Sequence, residues 1–206
     1  ASLDRGIQRE YNVKPTPILS AATIVETADG FFALHQRSRS QSSLYPGWIS
    51  VFAGSSEVDQ INDQGQPDIF KTAVAEVCEE TSLVQTDIAS IDCLGISEDL
   101  ILEITEFMFR ARTNLTSGEI REREGEQDKE EGNTVFIKKD PSEVKKYILM
   151  FSKTFVPEGA AILSLVGREY FGEVWFGDVV SRLKKRGAFY QCLTAIQSKK
   201  LEDRKV

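Results

Sequence analysis

Ala73-Val74-Ala75-Glu76-Val77-Cys78-Glu79-Glu80-Thr81-Ser82-Leu83 is the stretch that governs the reading of this chain. Around it, apolar residues fall at Ile69, Phe70, Ala73, Val74, Val77 and Cys78, the spacing of one helix face, and Asp68 is placed to cap the first turn. The pattern predicts a helix from Asp68 to Leu83. Glu76, Glu79 and Glu80 then stand at i, i+3 and i+4, and at about 3.6 residues per turn their carboxylates project from one side. Like charges at that spacing repel by roughly 0.2–0.5 kcal/mol per pair. A bridging cation relieves the repulsion, and hard oxygen donors in a chain whose one histidine is His35 favour Mg²⁺ or Mn²⁺ over zinc. The competing reading is an exposed acidic helix face, the simpler one for the helix taken alone because Glu is a good helix former.

Upstream, residues 18–25 and 31–36 are short apolar runs joined by Thr27-Ala28-Asp29-Gly30, whose Asp-Gly step is turn chemistry, so a β-hairpin is expected. Tyr45-Pro46-Gly47 breaks the chain before a strand from Trp48 to Ala53, and a polar loop runs from Ser55 to Pro67. Downstream, residues 88–96 and 100–113 read as a second antiparallel pair. Residues 118–131 hold seven acids and three bases, which fits a solvated loop or an exposed helix. A strand is expected over 134–138, a helix over 141–151 behind Asp140-Pro141-Ser142, and two more helices over 157–170 and 172–186, separated at Phe171-Gly172. Residues 182–206 carry eight bases and two acids, read as a solvated helix face and a frayed tail.

The 206 residues fit one domain with an addition, and 41% hydrophobic content supports a core of that size. A net charge of −7 argues against polymeric nucleic acid or anionic lipid as the main partner. Cys78, Cys93 and Cys192 are widely spaced, which suits a reducing compartment and small core residues better than disulfides or a zinc ribbon. No apolar run approaches the roughly 20 residues of a spanning helix. A cytoplasmic protein with no membrane partner is the expectation.

The helix stretch and its approach resemble the signature of the Nudix hydrolases: G, five residues, E, seven residues, then R-E-U-x-E-E-x-G-U, with U a bulky aliphatic. Ala75 to Leu83 retains all three glutamates and both aliphatic positions of the second half. Tyr45 to Glu57 is similar to the family's PG-x-W-x-x-PGG-x-x-E approach, and Gln36-Arg37-Ser38 to its arginine-bearing second strand. The resemblance spans roughly residues 18–150. It implies an α/β fold, a Nudix-type α/β/α sandwich with a mixed sheet, comprising residues 1–155 with a C-terminal helical extension, 156–206, packed on the same domain.

By the same resemblance, the activity would be hydrolysis of the diphosphate linkage of a nucleoside diphosphate derivative with Mg²⁺ or Mn²⁺. A nucleotide sugar is the first candidate, through loose similarity to the UDP-glucose-hydrolysing subgroup at residues 27–30, 37–39 and 94–96. Glu79 and Glu80 would be the principal metal ligands and Glu76 would assist, with the backbone carbonyl of Ala53 a further donor. Glu57 is read equally well as a metal neighbour and as a solvated loop acid. Glu130 or Glu131 would be the late-loop general base, although loop solubility is the simpler reading of that pair. Arg37 and Arg39 are candidates to contact phosphate, Arg39 being read more simply as a surface residue; His35 is expected to be structural. A homodimer is the candidate assembly.

Three departures stand against the resemblance. Ala75 replaces the arginine that orients the glutamates, Ser82 replaces the glycine at the helix exit, and 21 residues separate Gly54 from Glu76, seven more than the signature allows. They motivate a second expectation, a catalytically impaired Nudix-fold protein that binds nucleotides or regulates. Isomerisation of an isoprenoid diphosphate is a weaker third, since no cysteine-containing motif supports it.

Overall fold

The computed structural model describes residues 18–40, 45–99, 104–125 and 132–185. Its seven strands form one mixed sheet: β1 (Ile18–Glu26), β2 (Phe31–Arg37), β3 (Ile49–Ser50), β4 (Phe52–Ser55), β5 (Ile88–Asp99), β6 (Ile104–Thr113) and β7 (Gly132–Lys138). The main order is β3-β2-β1-β6-β5, with β4 paired to β1 and β7 to β2. Among these seven strands β1 and β6 are the parallel pair, in register from Ile18↔Ile104 to Glu26↔Arg112. The helices are α1 (Ile69–Glu80), α2 (Ser117–Gly125), α3 (Pro141–Met150) and α4 (Pro157–Lys185).

β1 is buried from Ser20 onward, which its nearly unbroken apolar sequence requires of a strand covered on both faces. On one face Ala22, Ile24, Phe32 and Leu34 pack with Val144 and Ile148 of α3 and with Ile162, Leu163 and Val166 of α4. On the other, Val25, Ala33 and Phe52 pack with Val77 of α1 and Ile120 of α2. This is the three-layer sandwich. Residues beyond 156 supply much of one core, so α4 is a layer of the domain.

Several local expectations hold with a visible cause. Asp68 caps α1 by accepting from the Phe70 and Lys71 amides at 3.1 and 3.3 Å, and Asp140 caps α3 from Ser142 and Glu143 at 2.9 and 3.1 Å. α4 breaks at the expected helix boundary, Phe171-Gly172: Gly172 has φ 85°, a conformation that favours glycine. The chain then turns Trp175 back onto Gly167, and the indole N–H donates to the Pro141 carbonyl at 2.7 Å.

One expectation is corrected. The strand read over 48–53 is two, because the chain crosses from pairing with β2 (His35↔Ser50) to pairing with β1 (Thr23↔Phe52) at Val51. The acidic run begins as a helix, α2, one of the two forms expected of it, anchored by Asp29, which accepts from the Ser117 amide at 2.9 Å and hydroxyl at 2.7 Å. Residues 126–131 lie outside the described residues, as do 100–103 and the basic tail beyond Lys185.

A charged network fastens α4 across the sheet. Glu26 meets Lys139 and accepts from the Tyr170 hydroxyl at 2.6 Å; Arg110, with an 8% exposed side chain, bridges Glu169 at 2.6 Å and Asp92 at 3.1 Å. Hydrogen bonds from Arg112 and then Arg110 hold the Asp92 carboxyl below the usual carboxylate range. A folded-state value below the unfolded one means that this contribution is present above about pH 4 and is lost as pH falls through the folded value. Asp92→Asn should therefore be less stable than wild type at neutral pH, with the difference shrinking in acid, as read by urea denaturation at both pH values. Separately, a Cβ at Gly167 would overlap the Trp175 ring, so Gly167→Ala should lower stability by about 1–3 kcal/mol in the same assay.

Candidate active site

The site is built where α1 docks on β4. Ser56 N–H donates to the Leu19 carbonyl at 2.8 Å, and in an antiparallel ladder hydrogen-bonded and non-hydrogen-bonded pairs alternate. Ala53, opposite Ala22, therefore falls at a non-hydrogen-bonded position, with N–H and C=O both directed away from β1. Glu80 takes the N–H: its Oε2 accepts from Ala53 at 3.1 Å. One residue on, the Glu76 carboxylate lies against the bare Cα of Gly54, so close that a Cβ there would overlap it. The Gly54 carbonyl accepts from Ser20 Oγ at 2.9 Å, which fixes this turn of β4 against β1.

Glu79 is brought elsewhere. It is exposed and lines a groove on the outward side of α1 with Ala75 and Cys78. Among the described residues no three His, Cys, Asp or Glu side chains stand close enough to hold one ion, so Glu79 does not join Glu76 and Glu80 as expected. The reason is angular. Glu79 and Glu80 are about 100° apart around the helix, so a strand that faces Glu76 and Glu80 leaves Glu79 to the side. Two carboxylates and the Ala53 carbonyl remain, and this donor set fits Mg²⁺, which commonly takes one or two carboxylates and fills its other positions with water and phosphate.

The signature's departures have local explanations. The helix ends at Glu80 because Thr81 caps it, its hydroxyl donating to the Val77 carbonyl and accepting from the Leu83 amide. The buried Ser82 hydroxyl donates to the Ile120 carbonyl at 3.2 Å, joining the exit of α1 to α2. The seven extra residues form a turn around Asn62, whose Oδ1 accepts from the Gln64 and Gln66 amides at 2.9 and 3.0 Å. Ala75, half-buried, leaves the outward groove open.

Arg37 and Arg39 come together in a cleft of about 350 Å³ with Ser38, Gly47 and Asn133. Arg39 is exposed, as the surface reading expects, and its stem packs on Gly47, where a Cβ would come within 2.9 Å. From the register Val25↔Ala33, Arg37 falls at the level of Ala21, the partner of Gly54, so cleft and carboxylates share one end of the sheet. Glu57 is exposed in the loop after β4, its amide bonded to Gln60, and is not joined to this group. Glu130 and Glu131 lie outside the described residues.

Sequence reasoning missed a polar row on the α1 side of the sheet. His35 pairs with Ser50 on one flank and Thr134 on the other, all at least half-buried, and the Thr134 hydroxyl donates to Glu124 of α2. The available signal was Ile120 and Glu124 at i, i+4 within the acidic run. Burial first, then Asp87 and Glu79, pushes the Cys78 thiol up, which disfavours the thiolate.

No protein-family model matches the chain, and no curated protein does. Solved structures do match. The MutT protein from Methanosarcina mazei Go1 superposes with TM-score 0.53 at 16% identity, over 77% of this chain and 98% of that one. The NUDIX domain of Shewanella oneidensis NrtR, complexed with ADP ribose, superposes with TM-score 0.52 at 12% identity, over 82% and 98%. The chain has the Nudix fold. A bifunctional NMN adenylyltransferase/ADP ribose pyrophosphatase from Francisella tularensis, complexed with AMP and Mn ion, aligns at TM-score 0.53 and 12% identity over 80% of this chain and 45% of that longer one.

In this Nudix sandwich the contact between Gly54 and Glu76 can be measured directly. Gly54→Ala should cost about 1–3 kcal/mol in the wild-type background and much less in Glu76→Ala. Equal costs in the two backgrounds would show that the carboxylate does not rest on Gly54.

Proposed function

We propose that the protein is a Mg²⁺- or Mn²⁺-dependent pyrophosphohydrolase acting on a small nucleoside diphosphate derivative, with a nucleotide sugar the first substrate to try. The observation that carries this reading is the convergence of Glu76, Glu80 and the Ala53 backbone at one end of the sheet, level with the two arginines. Glu80 and Glu76 would hold the ion with the Ala53 carbonyl. When bound, it would neutralise phosphate charge and acidify water. Arg37 and Arg39 would grip a phosphate through planar, bidentate donors, holding the diphosphate across the end of the sheet. Glu124 or Glu131 would take the proton from the attacking water; Glu124 is the described one, held by Thr134.

The outward Glu79 and the absent arginine at position 75 favour a second reading, nucleotide binding without turnover on the same scaffold. One assay separates the two: release of phosphorylated products from a panel of nucleotide sugars, dinucleotides and ADP ribose, with Mg²⁺ or Mn²⁺ and with chelator. The hydrolase reading expects metal-dependent turnover that falls by about 100-fold or more in Glu80→Gln, and at least 10-fold in Glu76→Gln and Arg37→Ala. Binding of a panel member with no product supports the second reading and ends the first.

A further inference from the structure

Among the described residues β7 is bonded to β2 on one side and to no strand on the other. The ladder fixes which backbone groups face out. The Lys139 amide donates to the Gly30 carbonyl at 2.9 Å, so this opposed pair is hydrogen-bonded and the pairs beyond it alternate. Phe32↔Ile137 and Leu34↔Val135 are then hydrogen-bonded, while Lys138, Phe136 and Thr134 turn their N–H and C=O groups away from β2. The Asp140 amide takes the Lys138 carbonyl at 2.8 Å, which leaves the N–H groups of all three residues and the carbonyls of Thr134 and Phe136 for an added strand. The other long edge of the sheet, β5, is interrupted at Ile88/Ser90 and Cys93/Gly95, irregularities that spoil pairing; β7 has none.

The side chains around this edge define the occupant. Phe136 packs on the α2 side, where the Arg121 guanidinium lies 4.8 Å from its ring centre, and Lys138 shares that face by alternation. On the other side Ile137 is buried with α3, and β7 and α3 form a groove of about 300 Å³ lined by Tyr147, Phe151 and the 61% exposed Met150, with Lys146 and Glu143. Arg121, Lys138 and Lys146 are exposed and form no ion pair among the described residues, whereas Arg110, Arg112, Arg123 and Lys139 are all paired. Cations beside an open edge repel a second copy of the same strand and attract an acidic one.

We propose that the outer edge of β7 binds an extended acidic segment of a partner protein by strand addition. The backbone of that segment bonds Thr134, Phe136 and Lys138, and pockets for alternate side chains give the selectivity. Carboxylates at every second position meet Arg121 and Lys138, and the intervening apolar side chains enter the groove at Tyr147 and Met150. The partner is thus a stretch in which acidic and apolar residues alternate. The proposal is independent of the catalytic reading.

Fluorescence anisotropy of a labelled octapeptide of alternating glutamate and valine tests it, with circular dichroism confirming that each variant is folded. The peptide should bind about tenfold or more tighter than its lysine–valine counterpart, and Arg121→Glu and Lys146→Glu should each weaken it by about tenfold. Lys138→Ala should weaken it a few-fold. Lys138→Pro, which also removes an outward N–H that β2 does not use, should weaken it by about tenfold beyond that. N-methylation of all the glutamates, or of all the valines, blocks one edge of the peptide; one of these forms should lose binding and the other keep it. An octapeptide that does not bind, that binds no better than the lysine version, or that responds alike to both methylations would overturn the proposal, as would Lys138→Pro equal to Lys138→Ala.

Discussion

The fit of α1 onto β4 is the constraint on which the site depends. Two acidic side chains one turn apart must share a face against a strand, and the strand admits them in different ways: Glu80 on a backbone N–H that the ladder leaves unused, Glu76 on a residue with no side chain. A side chain at position 54 would lift α1 or expel the carboxylate. The crossing of the chain at Val51 matters equally, since it takes β4 from the side of β2 to that of β1 and so directs the Ala53 N–H and C=O outward. Core packing then holds the arrangement, with Val77 and Ala73 of α1 fully buried on the same face of the sheet.

Much of this was legible in the sequence, for identifiable reasons. The six apolar positions of α1 and its Asp68 cap are local signals, and they place the helix within a few residues of its observed bounds. Gly172 announced the break in α4 because a positive φ is a local property of glycine. The destination of Glu79 was not legible: periodicity gives angles around a helix but not the position of the neighbouring strand. Glu124 was hidden for the same reason, as one acid among several until Thr134 and Ile120 showed which side of α2 faces the sheet. The partnership of Ser82 with Ile120, 38 residues away, leaves no local trace.

The departures from the Nudix signature describe a consistent local redesign. Ser82 contributes a buried hydrogen bond in place of a flexible exit, and the lengthened loop closes on Asn62 before delivering the chain to the Asp68 cap. Ala75 opens the outer face of α1, and Glu79 turns toward that face. The net negative charge does not oppose an anionic small molecule, because the arginine cleft and a divalent ion at Glu76 and Glu80 would both meet a diphosphate.

A metal site at Glu76 and Glu80 is the central claim, and soaking crystals of the protein in Mn²⁺ and locating the ion by its anomalous scattering tests it most directly. The expected peak lies between the carboxylates of Glu76 and Glu80, beside the Ala53 carbonyl. A peak at Glu79 without these two, or none at this end of the sheet at saturating Mn²⁺, would contradict the claim.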